Sequence, residues 1–211
     1  MSELARAGLD TLAVRQPGHP AALDLLKAFG AVLVAPSANP SGRISPTSAE
    51  HVANDLGDRL DLILDGGPSA VGVESTIVSL VGEEPALLRP GGLDPDEVAE
   101  ALGRPLARHT DDPGAPTSPG QLLRHYAPEA SLRLDAEGPR EGETYLGFGP
   151  EGASGTASHS LSRKGDLAEA AANLFGCLRD LDSVAKAIAV APIPDRGLGV
   201  AIRDRLERAA R

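Results

Sequence analysis

The chain has 211 residues, 41% of them hydrophobic, which is enough for one large domain or two modest ones around an ordinary packed core. Aromatic residues make up only 2% and tryptophan is absent, so the interior has to be Ala, Val, Leu and Ile, as in layered strands and helices rather than an aromatic cage. A net charge of −10 opposes strong non-specific attraction to a nucleic-acid backbone. One cysteine, Cys177, excludes an intramolecular disulfide framework, and the lack of a signal-peptide core or a membrane-length apolar run makes the cytoplasm the expected compartment, with no membrane partner.

In chain order, residues 11–15 read as a short strand. Residues 20–29 carry Ala22, Leu25, Leu26 and Phe29 on one side and stop at Gly30, which predicts a helix. A second strand is expected over 31–35. The loop Ala35-Pro36-Ser37-Ala38-Asn39-Pro40-Ser41-Gly42-Arg43-Ile44-Ser45-Pro46 follows. Small hydroxyl and amide side chains on a proline-stiffened backbone offer several donors to one polyanion with little ordering entropy lost, which is what a nucleotide phosphate site requires. Pro46 at a first helical position, with Thr47 and Glu50 as a capping box, predicts a helix over 48–56. The loop therefore ends at a helix N-terminus, where backbone N–H groups and the dipole favour an anion.

The apolar run 60–64 is closed by Asp65-Gly66-Gly67-Pro68, strands are expected at 76–81 and 86–89, and Asp94-Pro95-Asp96-Glu97 opens a helix that runs to Leu102. Over 103–130 the periodicity stops and Pro, Gly, Asp and Thr dominate, as in a linker between domains. Strands near 132–134, 144–148 and 187–191, with helices near 167–181 and 198–209, predict a small parallel α/β layer structure. Cys177, among Leu174, Phe175, Leu178 and Leu181, suits a buried apolar position rather than a nucleophile. Arg203, Arg205, Arg208 and Arg211 suit a solvated face near the last helix's C-terminus. His19, His51, His109, His125 and His159 share no metal-ligand spacing, so no metal site is expected.

Six strings stand in a fixed order: Ala35-Pro-Ser-Ala-Asn39, Ser45-Pro-Thr47, Asp65-Gly-Gly-Pro68, Val73-Glu-Ser-Thr76, Arg89-Pro-Gly-Gly92, and Ser118-Pro-Gly120 with His125-Tyr-Ala-Pro128. Together they resemble the threonylcarbamoyl-AMP synthase family in its long form. The resemblance implies a partial YrdC-like twisted α/β catalytic domain over 1–106, a linker over 107–130 and a small parallel α/β (Rossmann-like) domain over 131–211. The family's basic motif that holds the ATP phosphates has no counterpart in residues 1–10. The expectation is an N-terminally truncated catalytic domain whose 211 residues alone form the adenylate poorly.

The family forms threonylcarbamoyl-AMP and pyrophosphate from L-threonine, bicarbonate and ATP, for threonylcarbamoyl modification of adenosine in tRNA, and downstream tRNA-modification proteins are the implied partners. A carbamate oxygen attacks the α-phosphorus, so positioning and charge neutralisation suffice, with Mg²⁺ bound to the ATP phosphates and no protein nucleophile. By resemblance Arg15 holds the threonine carboxylate and Ser75 contacts threonine. Ser37, Ser45 and Arg89 contact ATP, Asn39 lies in the same motif, and Thr11 meets the nucleotide through its backbone. Tyr126, beside His125, falls in a segment implied to fold over the site opening and gate ATP entry or product exit; Tyr126→Ala is expected to alter turnover and leave the fold intact. Two readings compete with catalysis: a silent remnant that still binds nucleotide or a partner, and an RNA-binding module.

Overall fold

The structure, a computed structural model, describes residues 3–6, 8–108, 125–152 and 159–211. Ser118-Pro119-Gly120 and His109 lie outside the described residues.

After a 3₁₀ turn at Glu3–Arg6, the first half has α1 (Pro20–Phe29), which has proline in its first turn and closes on Gly30, whose φ of 74° a side chain would strain. Next comes α2 (Ala49–Leu56), with its cap at Ser48 rather than Thr47. The Ser48 hydroxyl accepts from the His51 N–H, while Thr47 turns to the same histidine, its N–H donating to His51 Nδ1 at 3.1 Å and its hydroxyl lying 3.3 Å from that nitrogen. β1 (Ile77–Ser79) and β2 (Ala86–Arg89) pair antiparallel, α3 (Pro95–Leu102) is capped by the Asp94 carboxylate, and β3 (Ala107–Arg108) runs parallel to β2. The sheet order is β1-β2-β3.

Two expected strands do not form. Residues 11–15 and 31–35, like the apolar run 60–64, join no ladder among the described residues. Their side chains stay largely in solvent, with Val14 86%, Val32 85%, Val34 76% and Leu62 81% exposed. Preference for a strand is mostly preference for a pleated, half-buried surface, and without a neighbouring backbone and a covering layer these segments have neither.

The second half is the parallel α/β structure that the periodicity predicts. β4 (Ser131–Arg133), β5 (Thr144–Gly147), α4 (Gly149–Gly152), β6 (His159–Ser160), α5 (Leu167–Asp182), β7 (Ala187–Val190) and α6 (Leu198–Ala209) follow in order, and the four strands lie parallel as β4-β7-β5-β6. Leu146, Ile188 and Val190 of the sheet pack with Leu174, Phe175 and Leu178 of α5 and with Ile202 and Leu206 of α6, all essentially inaccessible to solvent. At roughly 1.5–3 kcal/mol per large aliphatic side chain, this layer dominates the stability of the half. Cys177 packs partly buried at its edge, and burial together with the nearby Asp180 pushes its thiol up to about 11, too high for a nucleophile. Among the described residues no helix is long and apolar enough to cross a membrane.

The same core admits Ile44, Val73 and Tyr126. At Gly72, with φ of 79°, a Cβ would fall 2.1 Å from the Ala171 carbonyl oxygen on α5, so glycine is what lets the 73–76 segment approach the second half this closely.

Candidate functional site

Ser45 and Glu74 form the centre. The Ser45 hydroxyl donates to Glu74 Oε1 at 2.7 Å, and Arg205 Nε on α6 donates to Glu74 Oε2 at 2.8 Å. The Arg205 side chain is wholly buried; it also bonds the Pro90 carbonyl at 2.9 Å and Asp204 at 2.6 Å. Burial raises the Glu74 carboxyl, but the charge of Arg205 and the hydrogen bonds from Ser45 and Arg205 outweigh it, and its pKa lies below the ordinary carboxylate value. Glu74 is therefore ionised at neutral pH.

Arg89, buried at the end of β2, sends Nε and Nη2 to the Ser75 carbonyl at 3.2 and 2.8 Å, and the Gly92 N–H donates to the Glu74 carbonyl at 2.9 Å. These bonds set the 73–76 segment beside the 89–92 turn. Tyr126 closes the cluster with φ of 60°, its ring 5.5 Å from Phe175 and 5.3 Å from the Arg205 guanidinium carbon. Burial raises the Tyr126 phenol, and burial lowers the neighbouring His125, whose ring meets Tyr126 edge-on at 4.0 Å. Among the described residues neither the Tyr126 hydroxyl nor Arg205 Nη2 has a hydrogen-bond partner.

The loop of residues 35–46 is fastened from three sides. Asn39 Nδ2 donates to the Pro40 and Arg43 carbonyls, each at 3.0 Å, so its amide shapes the loop itself. The Ala127 N–H donates to the Gly42 carbonyl at 2.8 Å, and Arg43 pairs with Glu129 at 2.7 Å across a cleft of about 500 Å³. The described end of the expected linker thus packs against the loop rather than hanging free. Arg179 of α5 binds the Ile44 and Ser45 carbonyls at 2.5 and 3.2 Å and holds Asp55 of α2 with two bonds of 2.6 and 3.1 Å.

Of the residues expected in the site, Ser45, Ser75, Arg89 and Tyr126 come together around Glu74, and Asn39 braces the loop that carries Ser45. Thr11, Arg15 and Ser37 stand apart: all three are exposed, with no hydrogen bond or ion pair recorded among the described residues. The sequence reading missed Glu74, Arg179 and Arg205. Arg205 is a correction, because it is buried in the cluster rather than on a solvated face. It falls on the inward stripe of α6 with Ala201, Ile202, Leu206 and Ala209, a spacing of three and four that was visible in the sequence.

The titrations carry a sign. His51 and His125 have pKa values lowered by burial, so the unfolded chain takes up protons first and stability falls as pH drops below about 6.5. Glu74 is depressed, so its contribution is full above the unfolded value of 4.5 and is lost as pH falls through its lower folded value. Thermal unfolding followed from pH 8 to pH 3 should decline in both windows. In Glu74→Gln the acid-side decline should shrink, and an unchanged decline would remove Glu74 from this role.

Residues 93–211, more than half of the chain, match the family described as "Threonylcarbamoyl-AMP synthase, C-terminal domain", and residues 1–91 match the Sua5, YciO and YrdC family described as "Telomere recombination". The chain belongs to the threonylcarbamoyl-AMP synthase family. It is 39% identical to the threonylcarbamoyl-AMP synthase of Bacillus subtilis (strain 168) over 100% of this chain and 66% of that protein. It is 38% identical to that of Pyrococcus abyssi (strain GE5 / Orsay) over 96% of this chain and 65% of that one. The crystal structure of P. abyssi Sua5 complexed with L-threonine superposes with a TM-score of 0.87 at 36% identity, covering 99% of this chain and 66% of that one. The chain thus spans about two thirds of the length of these relatives. Its mixed first sheet and parallel second sheet are the architecture of this family.

Proposed function

We propose that the protein carrying this chain is an L-threonylcarbamoyladenylate synthase, a nucleotidyltransferase that joins L-threonine, bicarbonate and ATP into threonylcarbamoyl-AMP with release of pyrophosphate. The observation that carries the proposal is the meeting of Ser45 and Arg89, expected on the nucleotide, with Ser75, expected on the amino acid, around one ionised carboxylate. The names of the relatives and the L-threonine in the P. abyssi structure support it.

A carbamate oxygen attacks the α-phosphorus and pyrophosphate leaves, so the protein's work is alignment and charge. Mg²⁺ arrives with ATP as part of that substrate and offsets phosphate charge. The single proton of the Ser45 hydroxyl is committed to Glu74, so toward a ligand this oxygen presents lone pairs and accepts, unless it turns away from Glu74. Thr11, Ser37 and Asn39 complete the nucleotide side in this reading, and Arg15 takes the threonine carboxylate. In this reading the domain boundary falls within the expected linker over 107–130, whose first two residues pair with β2 as β3 and whose Tyr126 and Ala130 belong to the second half's core. In this reading the product is consumed on tRNA, and the protein works in the cytoplasm with downstream tRNA-modification proteins as partners.

The test is pyrophosphate release that depends on both L-threonine and bicarbonate; release indifferent to either would overturn the proposal. Arg15→Lys refines it. An ammonium cannot reproduce a two-pronged bond to a carboxylate, and a charged hydrogen bond is worth roughly 1.5–3 kcal/mol, so KM for L-threonine should rise about tenfold or more with KM for ATP within about twofold. Equal shifts in both constants would place Arg15 away from the threonine carboxylate.

A further inference from the structure

We infer that Arg205, on α6 of the second half, is a positioning residue for both substrates at once: its one guanidinium locks the nucleotide contacts and the threonine contact into a single unit. The inference rests on the functional reading above for what Ser45, Ser75 and Arg89 touch, and on the hydrogen bonds for the unit itself.

The unit is a closed ring of bonds. Arg205 Nε donates to Glu74 Oε2 at 2.8 Å and Nη1 donates to the Pro90 carbonyl at 2.9 Å. Glu74 is joined through its peptide bond to Ser75, whose carbonyl accepts from Arg89 Nε and Nη2, and Arg89 is joined through its peptide bond to Pro90. The path thus returns to Arg205. The Gly92 N–H bond to the Glu74 carbonyl ties the same two segments a second time, and Ser45 hangs from the ring by its hydroxyl, which donates to Glu74 Oε1 at 2.7 Å. A planar guanidinium suits the closing position, because its donors leave in fixed directions and aiming Nε at Glu74 settles where Nη1 points.

The closing member is built in firmly. Arg205 is wholly buried, the Tyr126 ring lies 5.3 Å from its guanidinium carbon, and Asp204, which also holds Arg208 at 3.0 Å, takes its Nη1 at 2.6 Å. Removing one member of a charge pair in such a place is strongly felt, since the Glu74 carboxylate is left without the charge that holds it and its grip on Ser45 loosens too. With the ring open, Ser45, Ser75 and Arg89 have to be ordered by the ligands themselves, and whichever ligand binds first lowers that ordering cost for the other. Cooperativity between the two ligands is therefore the mark of a positioning role, one that plain support of the core would not produce.

Arg205→Met, Arg205→Lys and Leu206→Ala in the protein carrying this chain test the assignment. L-threonine and MgATP are titrated separately and then each in the presence of the other, without bicarbonate so that no product forms, and amide hydrogen exchange is followed without ligand. Arg205→Met should weaken both ligands about tenfold, the equivalent of one lost charged hydrogen bond, and saturation with either should recover about threefold or more of the other's affinity, beyond any coupling in the unsubstituted protein. Exchange should quicken together over 44–45, 73–76 and 89–92. Arg205→Lys should fall between, since it keeps a charge opposite Glu74 and loses the fork that also reaches Pro90. Leu206→Ala opens space beside Leu134 and Val190 on the same helix, so it should lower the melting temperature and leave both affinities within about twofold. Should Arg205→Met fail to fold, Arg205→Lys against Ile202→Val, a mild core change on α6, carries the same comparison.

Weakening of one ligand alone, unchanged coupling between the ligands, or Leu206→Ala weakening both as strongly as Arg205→Met would overturn the inference and leave Arg205 as plain support of the core. If the unsubstituted protein binds neither ligand while Arg205→Met quickens exchange in all three segments and Leu206→Ala does not, the functional reading falls and the locked unit stands.

Discussion

Gly91→Ala should disable the first half of the molecule. An added Cβ would sit 2.3 Å from both the Ser75 carbonyl carbon and the Thr76 nitrogen, and 2.4 Å from the Glu74 oxygen. All three are backbone atoms, so no flexible side chain can swing aside and the 89–92 turn must move away from the 73–76 segment. That movement breaks the Gly92–Glu74 bond and the Arg89 bonds to Ser75, and it pulls on the Thr76 hydroxyl, which accepts from the Leu93 N–H and donates to its carbonyl. The start of the β1–β2 ladder, where Ile77 faces Arg89, follows directly. A loss of about 3–5 kcal/mol belongs to this class of change, in which overpacking and broken buried hydrogen bonds coincide. Gly57→Ala is the control, because Gly57 has φ of −40° with open space around its Cβ position, and alanine there should be neutral or stabilise by about 0.4–1 kcal/mol. Urea unfolding of the two variants should differ widely in midpoint, and similar midpoints would mean that the turn and the segment separate without cost.

The contrast between what local sequence reveals and what it hides follows the range of the interactions. Helix α6 is expected over 198–209 and found at Leu198–Ala209, because its apolar spacing and its ends are written within a dozen residues. The cap of α2 moved by one residue since a histidine a turn away competes for Thr47, a local contest that propensity alone does not rank. Strands at 11–15 and 31–35 failed for a different reason: a strand is completed by its neighbour, and their valines and leucines carry no information about which backbone that is. The site divides in the same way. Ser45, Ser75 and Arg89 stood out through strings of unusual composition, whereas Glu74 acquires its importance from Arg205, which is 131 residues away in sequence, and Ser45 is held by Arg179 at a separation of 134. Arg205 alone left a trace, as a charged residue on an otherwise apolar stripe.

Tyr126→Ala is the second large effect, and here the structure reverses the expectation that a change in a connection spares the fold. Tyr126 is only 1% exposed and belongs to the same core as Phe175, Leu174 and Ile202, so truncating it opens a cavity in that core. Aromatic-to-alanine changes at such positions cost about 3–5 kcal/mol. The backbone adds to this, because φ of 60° is an unfavourable conformation for a bulky residue, costing on the order of 1–3 kcal/mol, and the buried ring offsets it. Alanine keeps the strained backbone, gives up the ring and uncovers the Arg205 guanidinium. For a chain of this size the melting temperature should fall by roughly 10 °C, and the Ala127 bond to Gly42 and the Arg43–Glu129 pair should loosen together, seen as faster amide exchange at residue 127 and easier proteolysis around it. Tyr126→Phe separates packing from chemistry. Its hydroxyl has no partner among the described residues, so removing it should leave the melting temperature within a few degrees, as expected for a change of about 1 kcal/mol or less. If Tyr126→Phe keeps its stability and loses MgATP affinity, the buried hydroxyl is held ready for the nucleotide. If it keeps both while Tyr126→Ala loses both, the ring acts on the site only by holding Arg205 and the loop of residues 35–46 in place.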